Sequence, residues 1–267
     1  MSSGRAANPF LSFTSAGVAP EQPRLYCFAY AGASASVYAP WARALAPQVA
    51  VVGVELPGHG SRFSEAPLGS IAAMASGMAQ VIAEQPDEAP FAFYGHSLGA
   101  VVAFETARLL GDSGPMHLFA GAARAPHLPP PVPAISHLPA MEFLDAVQKR
   151  YGGLPAALFD EPELLEMVLP VLRADFGAYE KYVYAESAPI ACPITAFHGT
   201  GDPVVHGALV SAWSLVTTGA FRHEAMDGDH FFLNTCRPVL LRHVREVFDC
   251  YDGASTTNAA SRIPTIG

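Results

Sequence analysis

The stretch that most constrains this chain is Phe91-Ala92-Phe93-Tyr94-Gly95-His96-Ser97-Leu98-Gly99-Ala100. Four apolar or aromatic residues read as a short buried strand, and Leu98 to Leu110 reads as a helix with apolar residues nearly all round. Between them lies Gly95-His96-Ser97-Leu98-Gly99, a G-x-S-x-G. The pattern alone is a weak signal. Between a strand and a helix it marks a sharp turn that lifts the serine out at the strand's C-terminal end. A turn that tight needs glycine beside it. The first amides of the following helix have no internal partners and point at the same spot, which suits a developing negative charge.

The rest of the chain repeats the strand–helix rhythm. Strands are expected at Arg24 to Ala29, Val49 to Val54, Met116 to Ala120, Ile194 to His198 and Phe221 to Met226. Helices are expected at Tyr38 to Ala46, Ile71 to Glu84, Ala208 to Leu215 and Pro238 to Tyr251. This alternation implies an α/β fold: a mainly parallel sheet with helices on both faces. Residues 125–189 break the rhythm. They hold a proline-rich loop and helical stretches at Met141 to Tyr151 and Pro162 to Tyr184, the second with Pro170 expected to kink or split it. We read residues 23–124 and 190–251 as the core, 125–189 as a helical lid insertion, 1–22 as a flexible lead-in from which Phe10 to Phe13 dock on the core, and 252–267 as a mobile tail.

Composition narrows the function. With 267 residues, 51 % of them hydrophobic, the chain fits one α/β domain with an insertion better than two domains. The net charge of −9 and the lack of any Lys/Arg block exclude a nucleic-acid partner. No apolar run approaches the roughly 18 residues of a membrane span, and no secretion signal is legible. The four cysteines are scattered without a C-x-x-C, so a cytoplasmic location is expected. No metal cluster, no G-x-G-x-x-G and no P-loop is present, so no cofactor is expected.

A serine hydroxyl needs a base in reach, and the base needs an acid to hold its tautomer. On a fold of this kind the three follow in the order Ser, Asp, His, and here they are Ser97, Asp202 and His230. Asp202 follows a strand and precedes Pro203. His230 is the histidine, among ten, that lies after Asp202 in a Gly-flanked loop following a strand. Asp175 is the rival acid, inside a lid helix expected to be mobile, while Asp227 and Asp229 adjoin His230 too closely to reach its far nitrogen. His59, His96 and His198 read as structural. For an oxyanion hole, the amide after the nucleophile is Leu98. The second comes from the loop after the first strand, where Ala31 is our choice and one residue either way is equally allowed.

With these residues in place, the chain resembles the type II thioesterases of polyketide and nonribosomal peptide biosynthesis, which are α/β-hydrolases. The resemblance runs from about Arg24 to Phe248. It rests on Phe28-Ala29-Tyr30-Ala31-Gly32-Ala33-Ser34, Glu55-Leu56-Pro57-Gly58-His59-Gly60-Ser61-Arg62, Gly95-His96-Ser97-Leu98-Gly99-Ala100, Arg124-Ala125-Pro126, Gly201-Asp202-Pro203 and Gly228-Asp229-His230-Phe231-Phe232. Two positions depart from the family pattern: Ala33, where glycine is commoner, and His59, where arginine is commoner. The resemblance implies a monomeric serine hydrolase that removes acyl groups from the phosphopantetheine arm of acyl or peptidyl carrier proteins. The residues alone leave other readings open: an esterase or lipase on free esters, an acyltransferase or cyclase, and a non-catalytic binding protein on a hydrolase scaffold. Lys149 and Arg150, at the end of the first lid helix, are candidates for a carrier-docking patch, though a solvated helix end explains them as well.

Overall fold

The computed structural model describes residues 10–14, 19, 21–85 and 89–260. Seven strands form one sheet in the order β1-β3-β2-β4-β5-β6-β7. They are β1 (Leu11–Thr14), β2 (Arg24–Phe28), β3 (Ala50–Val54), β4 (Phe91–His96), β5 (Leu118–Gly121), β6 (Ile194–Gly199) and β7 (Phe221–Met226). Strands β2 to β7 run parallel, and β1 lies antiparallel along β3 at the edge. The helices are α1 (Ala39–Leu45), α2 (Ile71–Ala83), α3 (Leu98–Leu110), α4 (Ala140–Tyr151), α5 (Ala157–Asp160), α6 (Pro162–Glu180), α7 (Gly207–Ser211), α8 (Phe232–Thr235) and α9 (Arg237–Ala260).

Successive side chains on a strand face opposite ways, and the two cores follow that period. Tyr26, Phe28, Val52, Val54 and Phe93 face one layer, with Met74 and Met78 of α2 and Val101 and Phe104 of α3. Leu25, Cys27, Val51 and Tyr94 face the other, with Trp41 of α1 and Leu240 and Val244 of α9. Burying side chains of this size contributes about 1.5–3 kcal/mol each. A third, smaller cluster lies within the helical segment between β5 and β6, where Phe143, Leu144 and Val147 of α4 meet Leu172 of α6.

Several elements differ from the sequence reading. Part of the expected lead-in is β1, whose pairing with β3 (Leu11 opposite Val54, Thr14 opposite Val52) adds an edge strand. A four-residue strand carries almost no signal of its own; its partner makes it. Phe10 docks on α2, its ring so close to Gly77 that a Cβ there would lie 2.6 Å away. Helix α6 runs through Pro170 unbroken and ends at Glu180 rather than Tyr184. Helix α9 continues to Ala260, past the expected end at Tyr251, so residues 252–260 are helical; 261–267 of the expected tail lie outside the described residues. No helix among the described residues is long and apolar enough to cross a membrane.

Candidate active site

Parallel strands end on the same edge of a sheet, and loops at that edge collect functional side chains. Ser97 follows β4, Asp202 follows β6, His230 follows β7, and Tyr30-Ala31-Gly32 follows β2. The edge also carries the helical segment between β5 and β6.

Ser97 sits at the turn from β4 to α3 with φ 54° and ψ −116°. A side chain at positive φ costs about 1–3 kcal/mol and persists only where its surroundings over-determine it. Here they do. The Ser97 N–H donates to Gly121 O of β5 (2.8 Å). A Cβ on Gly95 would collide with the backbone of Gly99 and Ala100, and one on Gly99 with the carbonyls of Phe28 and Ala29. The two glycines let α3 press onto β4 and β2, and that contact forces the serine outward.

The structure brings the three sequence candidates together. Ser97 Oγ lies 3.1 Å from His230 Nε2, and His230 Nδ1 lies 2.6 Å from Asp202 Oδ2. Nδ1 faces a carboxylate and so donates, which leaves Nε2 to accept the serine proton. Asp202 Oδ1 accepts the N–H groups of Val204 (2.9 Å) and Val205 (3.0 Å). Burial pushes the Asp202 carboxyl up, but the hydrogen bond from His230, its charge and the two amides outweigh this and hold it below the ordinary range. The Asp202 side chain is fully buried and His230 nearly so, while Ser97 is half-buried. Tyr151 of α4 packs on the His230 ring, centroids 4.9 Å apart.

Asp175 is elsewhere. Its Oδ2 accepts from Gly32 N–H (2.7 Å) and His59 Nε2 (2.8 Å). His59 Nδ1 meets Pro57 O (3.1 Å), so both ring nitrogens face acceptors, which suits an imidazolium. Burial alone would lower its pKa. The hydrogen bond and charge of Asp175, with the Pro57 carbonyl and Glu55, more than reverse that and raise it. Asp175 is therefore not the acid for His230, and its side chain is 0 % exposed. Asp229 accepts the Phe231 amide (2.8 Å) and does not reach the far nitrogen of its neighbour. His198 and His223 hydrogen-bond each other (2.9 Å).

One residue that reads as structural in the sequence has a structural contact to the site that the sequence does not reveal. His96 is fully buried, its Nε2 2.7 Å from the backbone carbonyl of His230 and its Nδ1 3.2 Å from Tyr94 Oη. The carbonyl must accept, so Nε2 donates and Nδ1 takes the tyrosine proton. Burial, then the charge of His230, drive its pKa down to about 3. A neutral His96 thus pins the loop that carries His230. The available signal is a histidine directly before the elbow serine, at the end of an apolar strand.

Beside Ser97, the amides of Ala31 and Leu98 have no acceptor among the described residues, whereas the Gly32 N–H is taken up by Asp175. Ala31, Leu98, Ser97 and His230 line one pocket, partly open to solvent. Val147, Tyr151, Leu172 and Phe176 from α4 and α6 roof it with apolar surface.

Residues 23–248 match the family model described as "Thioesterase domain". The chain is 40 % identical over 233 residues to a protein of Brevibacillus parabrevis named "Linear gramicidin dehydrogenase LgrE", covering 85 % of this chain and 88 % of that one. It is 38 % identical to "Thioesterase PikA5" of Streptomyces venezuelae over 79 % of this chain and 75 % of that protein. Among solved structures, the type II thioesterase BorB from the borrelidin biosynthetic cluster superposes with a TM-score of 0.77 at 32 % identity, over 87 % of this chain and 93 % of that one.

Proposed function

The chain belongs to the thioesterase family, and from that premise we propose that it is a type II thioesterase, a serine hydrolase that cleaves acyl thioesters from the phosphopantetheine arm of acyl or peptidyl carrier proteins in polyketide or nonribosomal peptide synthesis. The observation that carries the reading is the hydrogen-bonded row Ser97–His230–Asp202 opening onto an apolar pocket. Relatives named as thioesterases and the type II enzyme BorB supply the class of substrate. We take the protein to act as a monomer in the cytoplasm, where its four cysteines stay as free thiols.

In this reaction Ser97 Oγ attacks the thioester carbonyl while His230 Nε2 takes its proton. Asp202 holds the imidazole tautomer and stabilises the imidazolium. The tetrahedral oxyanion is received by the N–H groups of Leu98 and Ala31. Collapse breaks the C–S bond; the departing sulfur takes the proton from His230, leaving an acyl-serine. Water then attacks the ester carbonyl, giving its proton to His230. A second collapse returns the proton to Ser97 Oγ and frees the carboxylic acid. The helical segment of residues 125–189 acts as the lid, lending its apolar face to the acyl chain at about 0.8 kcal/mol per buried methylene.

The test compares specificity constants for one acyl group on a carrier protein, on coenzyme A and on N-acetylcysteamine. The carrier-bound form should be preferred. Equal values for all three would remove the carrier from recognition and leave a general thioesterase.

A further inference from the structure

Asp175 is a buried carboxylate that the reaction above leaves idle, yet it binds the loop in which the reaction needs a donor. It belongs to α6, and one of its oxygens accepts from the backbone of Gly32, 143 residues away in sequence. Its other oxygen, Oδ1, has no partner among the described residues. His59 pairs its charge (2.8 Å), but that pairing does not require the second contact, to the backbone of Gly32.

The geometry of the loop supplies a reason for that contact. Ala33 N–H donates to Tyr30 O (3.0 Å), closing a turn over Tyr30-Ala31-Gly32-Ala33. Gly32, the third residue, has φ +75°, the value a type II turn places there. Types I and II differ by a flip of the central peptide. Here that peptide joins Ala31 to Gly32, and its N–H is the group Asp175 holds. Flipped, it would turn the Ala31 carbonyl oxygen toward the carboxylate, and the two would repel. Leu172, one helical turn before Asp175, closes on the same glycine: a Cβ there would lie 2.7 Å from Leu172 Cδ1.

We propose that Asp175 is a positioning residue: from the lid helix it fixes the Ala31–Gly32 peptide, and so keeps the adjoining Ala31 N–H aimed at the oxyanion. The proposal rests on the thioesterase reading, with Ala31 as a donor. It makes the oxyanion hole complete only while α6 is seated, so the helix that roofs the acyl chain also finishes the catalytic centre.

The test uses the full chain and the variants Asp175→Ala, Asp175→Leu and Asp175→Asn. Leucine fills a similar volume without an acceptor, should the alanine variant not fold; asparagine keeps an acceptor oxygen. Six quantities are read: the Gly32 amide resonance and its exchange rate, kcat and KM on an acyl N-acetylcysteamine thioester, the inhibition constant of the matching acyl trifluoromethyl ketone, and that of the matching thioether. The ketone forms an oxyanion on Ser97; the thioether occupies the pocket without one. Loss of the acceptor should move the Gly32 resonance and speed its exchange. It should lower kcat by about 10- to 100-fold, keep KM within about threefold, and weaken the ketone as much as kcat while leaving the thioether within about twofold. Asparagine should restore kcat to within about fivefold of wild type, since its amide oxygen still accepts. Values of kcat and ketone affinity within twofold of wild type in the alanine or leucine variant would overturn the proposal. So would a thioether loss equal to the kcat loss, or an asparagine variant no better than alanine. A wild-type protein that neither hydrolyses thioesters nor is labelled at Ser97 would sink the thioesterase reading instead. There, an unmoved Gly32 amide would overturn the Asp175 contact and a moved one would support it.

Discussion

The two sides of the candidate active site are held by different parts of the molecule. Ser97, Asp202 and His230 each hang from their own parallel strand, and they bond to one another and to core backbone. Opposite them, the Tyr30–Ala33 turn and the His59 loop are tied to α6, a helix inserted between two strands. In the proposed reaction the proton-relay side thus hangs from the sheet, with only Tyr151 of the insertion packed on His230, whereas the oxyanion side is hydrogen-bonded to the insertion. Disturbing the helices should reach the second side first.

The sharpest way to break this division is at the serine. Ser97→Ala should lower turnover by about 10⁴-fold or more, since residues that act as a unit fail together, with the fold intact by circular dichroism. Retention of a tenth of the wild-type rate on an acyl N-acetylcysteamine substrate would remove Ser97 from the reaction. Next comes the acid. Asp202→Asn should cost about 10³- to 10⁴-fold by leaving His230 in the wrong tautomer, while Asp175→Asn stays within about fivefold. If the two variants exchanged ranks under the same assay, the comparison would be upside down.

Two smaller effects concern the scaffold of the relay side. A methyl on Gly99 would press into the carbonyls of Phe28 and Ala29, rigid backbone that cannot turn aside. Gly99→Ala should therefore destabilise by about 3 kcal/mol, the upper range for an overpacked site. A loss under about 0.5 kcal/mol in urea titration would mean that α3 can move off β2. The last effect is on pH. His96 is held neutral, its pKa about 3 against 6.5 for a free imidazole, among Tyr94, His230 and Asp202. Between those values the unfolded chain binds a proton that the folded chain refuses, so stability falls as pH drops from about 6.5 toward 3. At pH 5 the contribution is about 2 kcal/mol, from 1.36 kcal/mol per pKa unit. His96→Gln should lose about 2 kcal/mol less than wild type between pH 7 and pH 5 in urea titrations at both. Parallel losses would deny His96 that role.

By itself the sequence determined what is local. The strand–Gly–Ser–Gly–helix order specifies the elbow because glycines and periodicity act within about ten residues. The strand–helix alternation specifies the parallel sheet, and with it the edge where Ser97, Asp202 and His230 meet. Elements whose existence depends on a distant partner were not legible. The four residues of β1 are a strand because β3 offers an edge, and α6 passes Pro170 without the break that a proline alone suggests. The same holds for the carboxylates. Sequence chose Asp202 over its rival Asp175 by chain order and strand position, without a contact to show for it, and treated His96 as packing. Only the tertiary structure put Asp202 on His230 Nδ1, Asp175 on Gly32 and His59, and His96 on the His230 carbonyl. Those contacts span 28, 143, 116 and 134 residues in the chain. No periodicity or turn rule reaches that far; the packing of sheet edge against inserted helix decides which donor each buried oxygen can find.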